Sequence, residues 1–114
     1  MPAHEYINQD QLRRLKALDF TDEVTGKEIT IGEAKPEDWF DMEHFNALKA
    51  DIAEHGIQRP IKVLHGKFLN EGHHRAMAAR ELGLSRIPAQ NFNDATDPET
   101  YDTHEESTRW KLFK

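Results

Sequence analysis

Cysteine is absent from the 114 residues, which excludes disulfide stapling, thiol redox chemistry and cysteine-ligated zinc together. No apolar run approaches the roughly 20 residues that a membrane-spanning helix needs, so no membrane partner is expected. The opening stretch MPAHEYINQD lacks a basic segment followed by an apolar one, and without such a leader the expected location is cytoplasmic. No serine sits in a Gly-x-Ser-x-Gly setting and no His-Glu-x-x-His spacing occurs, which removes two common hydrolase signatures. Internal repeats and low-complexity tracts are also missing.

Positive charge is in deficit as well. A net charge of -6 argues against nonspecific capture of nucleic acid, since duplex phosphates would meet a repelling average surface. The deficit is uneven, however. Residues 57–92 hold Arg59, Lys62, Lys67, Arg75, Arg80 and Arg86 against Glu71 and Glu81 alone, so this stretch could house an anion. With 37% hydrophobic and 32% charged residues, the chain has the composition of one soluble domain with a single modest core.

Periodicity sketches the elements. Leu12, Leu15 and, less regularly, Leu18 in DQLRRLKAL predict a short N-terminal helix capped at Asp10. Thr25-Gly26 marks a turn, and Ile29 and Ile31 alternate with polar residues as in a half-buried strand, so a hairpin or a loop into a strand is expected there. Pro36 starts a turn at PEDW. Asp41 then caps a helix whose apolar face is Phe45, Leu48 and Ile52, with Ala53 beside it, ending at His55-Gly56. Arg59 precedes Pro60 and is pushed out of helical space, which makes RPIKVL extended. His65-Gly66 connects it to a second strand in KFLNEG, a helix runs from about residue 73 to Leu82, and SRIPAQNF returns as a strand. The fold class expected is α/β of the α+β kind, a small mixed sheet with flanking helices. Its expected divisions are a helical extension over 1–19, the domain proper over 20–93, and an acidic arm over 94–114 with an aromatic and basic end.

The stretch NEGHHRAMAAREL, residues 70–82, carries the chemistry. Neighbouring helical residues point about 100° apart, so His73 and His74 do not aim at one metal ion as an i, i+4 pair would. A strand, then a glycine, then a helix presents backbone N–H groups where the helix dipole also favours an anion. Arg75 shares a helical face with Ala78, Ala79 and Leu82 and therefore projects from the buried side at the mouth of this turn; its planar fork suits a phosphate. The small Ala78 and Ala79 allow close packing on the sheet. Taken alone, Gly-x-x-Arg also describes an ordinary strand-to-helix turn.

Residues 50–92, ADIAEHGIQRPIKVLHGKFLNEGHHRAMAARELGLSRIPAQNF, resemble the ParB/sulfiredoxin superfamily in motif and in the order of features. The resemblance implies a small α/β domain binding nucleotide phosphates at the glycine-to-helix turn. ParB proteins carry Gly-Glu-Arg-Arg there and bind CTP, whereas this chain has Gly72, His73, His74 and Arg75. Sulfiredoxins carry Gly-Cys-His-Arg and bind ATP; with His73 in place of the cysteine, their redox repair is not expected. The ParB-like free serine kinases read Asp-Gly-His-His-Arg, and here Glu71 substitutes for the aspartate.

By this resemblance Arg59, Gly72, His73, His74 and Arg75 are the phosphate-binding candidates, and Glu71 is both the catalytic acid and the ligand for Mg2+ carried by ATP, ADP or CTP. Glu33 is a candidate second acid. NTP hydrolysis, as in a ParB-like NTPase, or kinase-type phosphoryl transfer would be the activity, and isolated small domains of this kind are familiar from phages and other mobile elements. The alternatives are a protein-interaction module with a degenerate nucleotide site, gripping its partner through residues 94–114, and a DNA-associated factor. DNA binding by this chain alone is not expected, because the 22 residues after Phe92 are too few and too acidic for a helix-turn-helix.

Overall fold

The computed structural model describes residues 4–21 and 25–93. Six strands form one mixed sheet in the order β1-β6-β4-β5-β2-β3, built from β1 (His4–Ile7), β2 (Lys16–Thr21), β3 (Glu28–Thr30), β4 (Ile61–Leu64), β5 (Phe68–Glu71) and β6 (Ile87–Phe92). The pairs β4/β6 and β2/β5 are parallel, while β1/β6, β4/β5 and β2/β3 are antiparallel. The expected mixed sheet with flanking helices is what the chain adopts.

The helices are α1 (Gln9–Arg14), α2 (Pro36–Trp39), α3 (Met42–His55) and α4 (His73–Leu82). Helix α3 starts where Asp41 caps it, its side chain accepting from the Glu43 N–H at 3.0 Å, and it buries Phe45, Leu48 and Ile52; Ala53 faces outward. It packs along α4. Helix α4 is buried along most of its length: Ala76, Met77, Ala78 and Ala79 are all fully buried. Three alanines in that run keep the backbone close to its neighbours, and their small volume is what lets α4 sit between α3 and the sheet.

The N-terminal region departs from its helical reading. Its helix is capped by Asn8, not Asp10: the Asn8 Oδ1 accepts from Gln11 N–H at 2.8 Å and the Gln11 Oε1 accepts from Asn8 N–H at 2.9 Å. A reciprocal cap of this kind contributes about 1 kcal/mol. The helix stops at Arg14, and Lys16–Thr21 becomes a strand between β5 and β3. Leu12 and Leu15 still enter the core, but Leu18 is exposed. Residues read as a helical extension thus supply two strands of the sheet, because pairing on both edges of β2 outweighs the local helix preference of Lys-Ala-Leu. The hairpin expected around Thr25-Gly26 is real, with β2 as its first strand. The arm over 94–114 lies outside the described residues.

Arg80 and Gln9 tie neighbouring segments to the end of α4. Arg80 Nη1 donates to the Ile31 carbonyl at 2.8 Å and to the Ala34 carbonyl, and its Nη2 meets Glu81 at 3.1 Å. At the same end of α4, the Gln9 Nε2 donates to the Ala79 and Leu84 carbonyls at 2.9 and 2.8 Å, closing the last turn from α1.

Candidate functional site

The turn between β5 and α4 is the place where several sequence-derived candidates meet. Gly72 holds φ 94° and ψ 31°, a left-handed conformation that strains any residue with a Cβ. The surroundings add a second constraint. A Cβ at Gly72 would lie 3.0 Å from Arg75 Nη2 and 3.0 Å from Ile61 Cγ2, so glycine is required by both backbone and space.

From Gly72 the chain enters α4 at once. The first ladder bond runs from Ala76 N–H to the Gly72 carbonyl at 2.8 Å, so the N–H groups of His73, His74 and Arg75 precede the ladder and point out of the helix start. The helix dipole adds partial positive charge at the same point.

Arg75 lies inside, only 6% exposed. Its Nη1 donates to the Arg59 carbonyl at 3.1 Å and to the Pro60 carbonyl at 3.4 Å. The guanidinium therefore lies between Gly72 and the strand-entry loop ahead of β4, and it fixes that loop against α4. Position 59 is brought to the site through its backbone, while its own side chain is exposed.

The two histidines have different surroundings. His73 is 5% exposed and its ring lies 5.0 Å from that of Phe20. His74 is half-buried and stacks on Phe40, with ring centroids 3.9 Å apart and planes 24° from parallel. Both belong to one aromatic cluster: Phe20 stacks on Trp39 at 4.8 Å and meets Phe40 edge-on at 5.5 Å, and Phe40 stacks on Phe45 at 5.3 Å. This cluster joins β2, α2 and α3 to the first turn of α4. Sequence reasoning missed it, since Phe20, Trp39 and Phe40 are far from residue 73 in the chain and obey no common period.

Glu71 ends β5, half-buried and opposite Lys62 in register. Glu33 is engaged elsewhere. Its Oε1 accepts from the Thr30 hydroxyl at 2.9 Å and from the Thr30 N–H at 3.4 Å, with Lys27 at 3.8 Å from Oε2. These hydrogen bonds, and then the lysine, hold its carboxyl below the usual glutamate value. Its carboxylate serves the turn that ends β3. Among the described residues, no three His, Asp or Glu side chains gather closely enough to hold a metal ion by themselves.

Comparison with known proteins agrees with the fold. The family model of the ParB N-terminal domain matches residues 8–103. Among solved structures, a Pnob8-like ParB-N domain is similar with a TM-score of 0.52 and 14% identity, covering 96% of this chain and 34% of that one. Sulfiredoxin from Arabidopsis thaliana is similar with a TM-score of 0.54 and 18% identity, covering 97% of this chain and 98% of that one. This chain thus spans about a third of the ParB-N chain's length, and identities this low speak for the fold alone. No curated protein matches significantly.

Proposed function

Because the chain belongs to the ParB N-terminal domain family, we propose that its β5–α4 turn binds the phosphates of a nucleotide. The observation that carries this reading is the left-handed Gly72, too crowded for any side chain, opening a helix whose first N–H groups point outward beside a buried arginine. A glycine there makes room for the Arg75 guanidinium beside the helix start, where the outward N–H groups and the dipole favour an anion. The Arg59 side chain, exposed on the loop that Arg75 holds, would supply a positive charge at the rim.

The residues present fit such a ligand in a definite way. His73 would contribute through its backbone N–H, since its ring is committed to Phe20. His74, with its ring plane set by Phe40, would direct a ring nitrogen at a phosphate oxygen. Glu71 is the acid adjacent to the turn and would hold Mg2+ arriving with the nucleotide; one protein carboxylate suffices when phosphates and water complete the shell. Such an ion would neutralise phosphate charge. NTP hydrolysis or phosphoryl transfer would then depend on Glu71.

Calorimetry with Mg2+ and ATP, ADP or CTP tests the reading. Two or three charge-assisted hydrogen bonds support dissociation constants of roughly 10 μM to 1 mM. Arg59→Ala should weaken binding at least about fivefold while the protein stays folded, because it leaves in place the backbone carbonyl that Arg75 uses. The absence of heat with every nucleotide would reject the proposal.

A further inference from the structure

Packing does not use all of Trp39. β2 and β5 run parallel with Ala17 opposite Leu69, so three residues further along each chain Phe20 and Gly72 come to the same end of the sheet. Phe20 thereby lies beside the β5–α4 turn. Its ring is buried, as are those of Phe40 and Phe45, whereas Trp39, the last residue of α2, is half-buried and keeps surface open to solvent.

The indole is also held in place. It stacks on Phe20 at 4.8 Å with the planes 17° apart. The next residue, Phe40, stacks on both Phe45 and His74 at 5.3 and 3.9 Å, and its N–H donates to the Pro36 carbonyl at 2.9 Å. A ring fixed in this way has little freedom left to lose when a flat ligand lies on it. Among the described residues, Phe20 is the only ring stacked on Trp39, and the indole N–H has no hydrogen-bond partner. One face and one donor are therefore left over.

We propose that Trp39 is the platform on which the base of the bound nucleotide stacks, and that the ligands of this site are purine nucleotides. The inference rests on phosphate binding at the start of α4. Ring separations of 4.8 Å from Trp39 to Phe20 and 5.0 Å from Phe20 to His73 connect the indole to the first residue of that helix, a gap that the sugar of a nucleotide bridges between its phosphates and its base. Every base has a π-face and can stack on an aromatic side chain, but the strength follows the area of overlap, so a two-ring base on an indole gains most. The unused N–H at the ring edge leaves a donor for the sugar or the base.

Calorimetry on the full chain with Mg2+ and three ligands separates base stacking from phosphate binding. ATP is expected to bind about tenfold more tightly than ribose 5-triphosphate, which carries the same phosphates without a base, and CTP should fall between them. In Trp39→Leu, which keeps apolar contact with Phe20 but has no π-face, ATP should drop to the affinity of ribose 5-triphosphate while ribose 5-triphosphate itself binds as before. A second readout does not depend on that variant folding. In Trp110→Phe, Trp39 is the only tryptophan left, and saturating ATP should quench its emission whereas ribose 5-triphosphate should not. Ribose 5-triphosphate binding as tightly as ATP, CTP matching ATP, or Trp39 emission indifferent to bound ATP would each overturn the inference and leave phosphate binding standing. If neither triphosphate binds, both are overturned.

Discussion

Arg75 and Arg80 are both cations that the sequence offers to an anion, yet each guanidinium is turned onto backbone carbonyls of a distant loop. The reason is visible only in three dimensions: both sit on α4, whose other neighbours are buried alanines and Met77, so a long side chain leaving that helix meets protein before solvent. Arg80→Ala should lower unfolding free energy by about 2–3 kcal/mol, read by chemical denaturation, by releasing the turn over residues 31–34 from charge-assisted hydrogen bonds. It should leave nucleotide affinity of the folded protein within twofold. Gly72→Ala should destabilise by about 2 kcal/mol and displace Arg75. A variant as stable as the parent would contradict the crowding described around that position.

Glu33 gives a pH test at the same scale. Its carboxyl titrates below the ordinary glutamate value, first because the Thr30 hydroxyl and N–H donate to it and then because Lys27 is near. The lowered folded value means that its stabilising effect is present above the unfolded value and disappears as pH falls through the folded one. Carbon-detected titration should place Glu33 below the usual range, and Thr30→Val should return it toward that range. An unchanged titration in that variant would remove the hydrogen bond as the cause.

At the scale of elements, the segment from Asp41 to Phe92 was the legible part. Caps, the proline at residue 60, the glycine after residue 82 and alternating burial all agree there, so local preference and tertiary structure point the same way. The region before it was misread because a three-residue spacing of leucines suits a helix, whereas Lys16–Thr21 is held by partners at residues 28–30 and 68–69 that no local pattern reveals. The β4–β5 connection makes a sharper prediction. His65 has φ 54° and is followed by Gly66 at φ 67°, with the Gly66 N–H donating to Asn91 Oδ1 at 2.7 Å. His65→Gly relieves the left-handed strain, against a loss of unfolded-chain restriction, and should stabilise by up to about 1 kcal/mol in denaturant titration. Destabilisation would show that the His65 side chain contributes contacts outweighing its backbone strain.

For the whole molecule, charge placement decides which partners the fold can favour. The positive excess of residues 57–92 is not one patch: Arg75 and Arg80 are turned inward, Lys62 and Arg86 lie on the outer sheet face, and Arg59 lies by the β5–α4 turn. A duplex needs several cations on one surface, whereas a nucleotide needs only the turn and its rim. No helix among the described residues is long and apolar enough to cross a membrane. The candidate site was legible as a glycine, a helix start and an arginine; its aromatic support and the inward clasp of Arg75 were not, since both depend on contacts across the fold.

The most direct test is to follow the backbone amide resonances of Gly72, His73, His74 and Arg75 while Mg2+ and a nucleoside triphosphate are added to the full chain. Saturable shifts largest at these four amides, absent when the nucleoside without phosphates is used, are the predicted result. Shifts concentrated elsewhere on the molecule, or none at millimolar nucleotide, would contradict phosphate binding at the start of α4.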